Sequence, residues 1–130
     1  MSRRNGLHRL LGLAALAGLM LMVGCRAKLV EVRVVNSGTT DLHNVEVDYP
    51  SASFGVSDLA PGATYIYRIQ LQDAGRMKVE FYDSKEQPHS GKGPYAVQGQ
   101  QGTLTLTLDA SGKNHWDAQL HPEAAAPAGD

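Results

Sequence analysis

Residues 29–50 read LVEVRVVNSGTTDLHNVEVDYP, and their period decides the fold. Val30, Val32 and Val34 alternate with Glu31 and Arg33. Asn36 to Asp41 then supplies turn chemistry, and Val45, Val47 and Tyr49 alternate with Asn44, Glu46 and Asp48 as far as Pro50. A period of two places apolar side chains on one face of an extended strand and polar ones on the other. A helix would need apolar residues three and four apart. Short polar side chains in a turn bond their own backbone, and a proline cannot donate to a ladder. Two strands joined by a reversal are therefore predicted here.

The pattern continues along the chain. Phe54 and Val56 form a third segment that closes at Leu59, and Pro61-Gly62 suits a type II turn with glycine supplying the positive φ. Tyr65, Tyr67, Ile69 and Leu71 oppose Thr64, Arg68 and Gln70; after Asp73-Ala74-Gly75, Met77, Val79 and Phe81 oppose Lys78, Glu80 and Tyr82. Asp83 to Pro94 reads as a long polar loop, and Tyr95 with Val97 as a short strand. Gly99 to Gly102 turns the chain into Leu104, Leu106 and Leu108, which alternate with Thr103, Thr105 and Thr107. Asp109 to Lys113 is a further turn, and His115 to Leu120 a last edge strand anchored by Trp116. Seven to eight short strands at roughly ten-residue spacing, with no helical period, predict an all-β antiparallel sandwich. The expected core is Val32, Val34, Val45, Val47, Phe54, Leu59, Tyr67, Ile69, Met77, Val79, Phe81, Leu104, Leu106 and Leu108.

Ahead of this domain runs LLGLAALAGLMLMVGC, Leu10 to Cys25, preceded by Arg3, Arg4 and Arg9. The apolar part, Leu10 to Val23, is 14 residues long. A spanning helix needs about 20, so a basic start, a short apolar core and a small residue before the break predict a secretory signal. Met22-Val23-Gly24-Cys25 resembles the lipobox of bacterial lipoproteins, with Met22 where leucine is commonest. That resemblance implies cleavage before Cys25, a diacylglycerol on its sulfur and an acylated amino group. It also implies a cell-envelope, lipid-anchored protein. Arg26 in place of an aspartate points to the periplasmic face of the outer membrane rather than to the inner membrane. The expected organisation is signal peptide 1–24, lipidated N-terminus and short tether 25–28, sandwich 29–120 and disordered tail 121–130.

A second resemblance concerns the domain. Val32-Arg33-Val34-Val35-Asn36-Ser37-Gly38, Asn44-Val45-Glu46-Val47 and Leu59-Ala60-Pro61-Gly62 look like bacterial immunoglobulin-like modules of the CARDB and fibronectin-III-like kind. The resemblance covers about the first half of the domain. It implies an immunoglobulin-like β-sandwich that serves as spacer, adhesion unit or docking surface, with no catalytic set. The paired cysteines and early tryptophan of antibody-type domains are absent from the sequence.

Bulk numbers narrow the function. Removing 24 residues from 130 leaves 106, enough for one domain with a modest core, and Cys25 is the only cysteine, so the domain has no disulfide. The net charge of −1 becomes about −4 without the three signal arginines, which excludes the basic surface that nucleic-acid binding requires. The mature histidines, His43, His89, His115 and His121, are not spaced as metal ligands on one strand, so no metal and no cofactor is expected. Asp41, Asp58, Asp73, Asp83 and Asp109 fall in or beside turns, where they satisfy backbone amides. No nucleophile elbow or metallohydrolase motif is present in the sequence, so a non-enzymatic protein is expected. The expected partner is another envelope protein, beside the membrane itself through the lipid. The candidate ligand or partner residues are Tyr82, His89, Tyr95 and Trp116, with the loop Asp83–Pro94. Exposed aromatics anchor proteins or stack on sugars, and the competing reading is that they complete the rim of the core.

Overall fold

The computed structural model describes residues 28–121. The expected signal peptide, Cys25 and the expected tail from residue 122 lie outside the described residues. Eight strands follow one another: β1 (Val30–Asn36), β2 (Leu42–Tyr49), β3 (Ala52–Leu59), β4 (Thr64–Ile69), β5 (Gly75–Tyr82), β6 (Pro88–Ala96), β7 (Gln101–Leu108) and β8 (Asn114–His121). They form two four-stranded sheets, ordered β4-β1-β7-β8 and β3-β2-β5-β6. The predicted all-β two-sheet architecture is present. One pairing departs from the antiparallel expectation: β1 runs parallel to β7, from Val30 opposite Gly102 to Asn36 opposite Leu108. These two strands are distant in sequence, so no hairpin fixes their relative direction.

The sheets meet across one apolar layer. Every expected core position is buried except Tyr67, and Val30, Leu42, Leu71 and Ala96 join them. Tyr67 lies opposite Val32 and so faces inward, but β4 is an edge strand and its ring reaches the open flank, leaving it 42 % exposed.

The expected loop Asp83–Pro94 is corrected. The connection occupies only the residues between Tyr82 and Pro88, and β6 takes up the rest. Prolines are tolerated at the first position of a strand and on sheet edges, which is where Pro88 and Pro94 fall. The glycines have a packing reason. A Cβ on Gly91 would collide with the Asn114 side chain, and one on Gly93 would meet the Trp116 ring at 2.8 Å. Bare backbone at these points lets β8 side chains seat directly on β6.

The end of the sandwich far from Lys28 is held by side-chain bonds to backbone. Asn36, fully buried, donates through Nδ2 to the carbonyls of Thr40 (2.8 Å) and Leu59 (2.9 Å), and its Oδ1 accepts from the Gly38 amide. The Gly62 amide donates to the Asn36 carbonyl, with Gly62 at φ 76° in the turn that Pro61-Gly62 predicts. Two turns at this end share one design. Asp83 accepts from the amides of Lys85 and Gln87, and Asp109 from those of Ser111 and Lys113. The fourth residue of each has positive φ: Glu86 at 61° and Gly112 at 89°.

Candidate functional site

The four residues singled out from the sequence do not converge. Tyr82 and Tyr95 lie on the outer face of the β3-β2-β5-β6 sheet, 41 % and 61 % exposed. Tyr82 stands opposite Pro88 and Tyr95 opposite Arg76. Six residue steps along β5 separate those rows, about 20 Å of strand. His89 faces the interior opposite Phe81, with the two rings stacked at 5.2 Å. Its Nε2 donates to Asp83 Oδ2 at 2.9 Å. That bond, followed by the amides of the turn, holds the Asp83 carboxyl below the usual carboxylate range. Trp116 also faces inward, opposite buried Leu106, and its Nε1 donates to Asn114 Oδ1 at 3.0 Å. His89 and Trp116 therefore build the fold's β6/β8 flank.

Two surface features remain. The first is a shallow hollow of about 560 Å³ at the far end, lined by His43, Asn44, Ser57, Asp58, Tyr82 and Glu86. It exists because both β2 and β3 break their alternation at the same place. Inward positions there lie three apart, Leu42 to Val45 and Val56 to Leu59, instead of two. Asn44 takes φ 46° within this irregularity, and the register of β2 against β5 shifts between His43 and Glu46. The extra residues turn outward. His43 Nδ1 donates to Asp58 Oδ1 at 2.7 Å, with Asp58 widely exposed. Ser57 shares the hollow, but among the described residues no hydrogen bond joins it to His43. The sequence signal for this hollow was the doubled three-residue spacing, which the strict alternation rule passed over. On the same sheet face, Asp48 beside Glu46, with Glu80 opposite, raises the Glu46 carboxyl above its ordinary range by like-charge repulsion.

The second feature is the flank where edge strands β3 and β4 meet. Phe54 stacks on Tyr67 with ring centres 4.7 Å apart, and Tyr65 and Tyr49 lie 6.4 and 6.3 Å from Phe54. Burial raises the Tyr49 phenol above its usual value. Ile66, on the outer face of β4, is 46 % exposed. The strand TYIYRI carries one charged residue, Arg68, and neither proline nor glycine. Such an edge presents unpaired backbone groups beside apolar side chains, the usual template for adding a strand. Among the described residues, no three His, Cys, Asp or Glu side chains are grouped to hold a metal ion.

No protein-family model matches this chain, and no curated protein matches it. A solved structure, an NMR structure of a protein from Eubacterium rectale, is similar in fold. Its TM-score is 0.53 at 12 % identity, over 78 % of this chain and 100 % of that one.

Proposed function

We propose that this chain is a non-enzymatic, lipid-anchored cell-envelope protein whose immunoglobulin-like sandwich docks another envelope protein. The observation that carries docking is the aromatic edge at β4. Ile66 and Tyr67 are both more than 40 % exposed on an edge strand with little to blunt it. A partner segment in extended conformation would take the open backbone of β4 and cover Tyr67 and Ile66. The anchor follows from the lipobox resemblance at Cys25 and the short tether behind it. The test is site-specific photocrosslinking in cells. A crosslinker at position 67 should yield one reproducible protein adduct, and one at Gln119 on the opposite edge strand should not. Equal adducts at both positions, or none at 67, would remove the docking surface. Palmitate labelling that persists after Cys25→Ser would remove the anchor.

The far-end hollow favours a second reading, a small-ligand or carbohydrate binder. Tyr82 offers a stacking face beside the polar groups of His43, Asn44 and Asp58. Tyr95 and Trp116 take no part in that hollow. A glycan array returning hits that Tyr82→Ala abolishes would favour this reading over docking.

A further inference from the structure

The exposed apolar side chains are unevenly distributed along the strand axis. Leu29 is 41 % exposed, Val97 39 % and Tyr95 61 %, and all three lie at the end where the described chain begins. The Gly102 amide donates to the Leu29 carbonyl, and the Gln100 amide to the Val97 carbonyl, so the start of β1 and the β6–β7 connection are neighbours. Tyr95 is the penultimate residue of β6, which ends at this same end. Charge is distributed in the opposite sense. The turns at the far end hold Asp41, Asp83, Glu86 and Asp109 against Lys85 and Lys113. The connections at the Lys28 end hold Asp73 alone; Lys28 lies just ahead of β1, and Asp48 and Arg76 offset each other one residue inside β2 and β5. Only three peptide steps separate Cys25 from Lys28, a span of at most about 10 Å.

We infer that the Lys28 end of the sandwich is a phospholipid-contact surface. Leu29, Tyr95 and Val97 enter the headgroup region of the bilayer and hold the strands upright. This rests on the reading that Cys25 carries the lipid. A tether this short brings the end it leaves from against the headgroups. The apolar side chains then gain by leaving water, and tyrosine suits the boundary because its ring is apolar and its hydroxyl stays wet. Anionic headgroups repel the carboxylate-rich end and tolerate the Lys28 end, so charge and hydrophobicity select the same orientation. The far-end hollow and the Asp83 and Asp109 turns then face away from the membrane. The open edge of β4 stands along the membrane normal, accessible from the side.

The experiment uses the full lipidated chain, purified from cells and reconstituted in vesicles of phosphatidylethanolamine and phosphatidylglycerol. Cys25 is the single cysteine, so once its sulfur carries the lipid, Val97→Cys or Ser84→Cys supplies the one free thiol for a fluorophore. Lipids bearing a quencher near the top of the acyl chain should quench the label at 97 severalfold more than the label at 84. Adding Leu29→Ser and Tyr95→Ser, both at exposed positions, should remove most of the quenching at 97. Equal quenching at 97 and 84 in protein that floats with the vesicles overturns the orientation and leaves the anchor standing. Quenching at 97 that ignores the two serine substitutions shows that the tether alone holds that end down, and overturns the contact surface. Protein that neither floats nor carries palmitate overturns anchor and contact surface together.

Discussion

The sandwich has two open flanks, and they are closed in different ways. On the β6/β8 flank, Trp116 and Asn114 seat on the bare backbone of Gly93 and Gly91, and His89 lies against Gly112. Large side chains meet positions with none, so the two sheets interlock and little apolar surface is left open. On the β3/β4 flank, Tyr67 stacks on Phe54 and beside Tyr65, and Tyr49 and Tyr65 tilt against Phe54. Ring faces of similar size cannot interlock, and the outermost, Tyr67, stays exposed. Both arrangements cover the ends of the same core. The first spends its aromatic residue on stability, and the second leaves an aromatic surface that another chain can cover.

The largest expected effect of this difference is at Trp116. Trp116→Ala removes the ring that packs on Gly93 and leaves a cavity between the sheets. It should cost about 3 kcal/mol, the low end for a large aromatic because the ring is only half-buried. A urea melt with the midpoint unchanged would show that the β6/β8 flank is not interlocked. Gly93→Ala probes the same fit from the other side. Its methyl group would meet the indole at 2.8 Å, and overpacking of this kind costs about 1–3 kcal/mol. In the Trp116→Ala background the penalty should vanish, because the atoms it collides with are gone; a double-mutant cycle reads that coupling directly.

The β3/β4 flank should respond in the opposite proportion. Tyr67→Ala loses its stacks on Phe54 and Tyr65 at a half-exposed position, together worth about 1–2 kcal/mol. Its effect on photocrosslinking from Ile66, the neighbouring exposed residue, should be far larger than its effect on the melt. If Tyr67→Ala unfolds the chain as readily as Trp116→Ala while adducts persist, then the aromatic shingle is structural and the two flanks are alike.

How much of this could be read from the residues depended on whether a position answers to its own strand or to a distant one. The alternation of Val32 with Val34, or of Leu104 with Leu106, is local, and it placed those side chains correctly in the core. Tyr67 obeys the same alternation, yet its exposure depends on β4 being an edge, a property of the sheet order. The stretch HSGKG within β6 looked like loop because glycine and serine are poor strand formers in isolation. Its extended conformation is imposed by pairing with β5 and by Asn114 and Trp116, residues more than twenty positions away. The candidate residues divide on the same ground. Tyr82 falls on the polar face of its strand by alternation and is exposed; Tyr95, for which the short segment Tyr95–Val97 predicts no face, is exposed as well. His89 and Trp116 were grouped with them but face inward, because their neighbours across the interior are glycines that no local pattern reveals. The hollow at His43 and Asp58 had a local signal, a three-residue spacing in each of two strands, that is visible only when both are compared.

The flanks also differ in the pH range over which each loses strength. Asp83 belongs to the β6/β8 flank through His89, and its carboxyl is held below the ordinary value, first by the His89 bond and then by the turn amides. A lowered folded-state value means that ionised Asp83 favours the folded chain. That contribution is complete above the ordinary carboxylate range, near 4, and disappears as pH falls through the folded value. Asp83→Asn keeps an oxygen for the Lys85 and Gln87 amides and removes the titration, so the neutral plateau should fall by about as much as the acid limb of the stability-against-pH curve flattens. Tyr49, on the β3/β4 flank, is displaced upward by burial. Its neutral form favours folding, so its contribution is complete below about 10 and is lost as pH rises through the folded value. Tyr49→Phe should therefore soften the alkaline limb and leave the acid limb untouched. Urea midpoints of both variants between pH 3 and pH 11 would check the assignment. An acid limb that Asp83→Asn does not alter would mean that the ionised Asp83–His89 contact contributes nothing to that flank, which Trp116 on Gly93 and Asn114 on Gly91 would then hold without it.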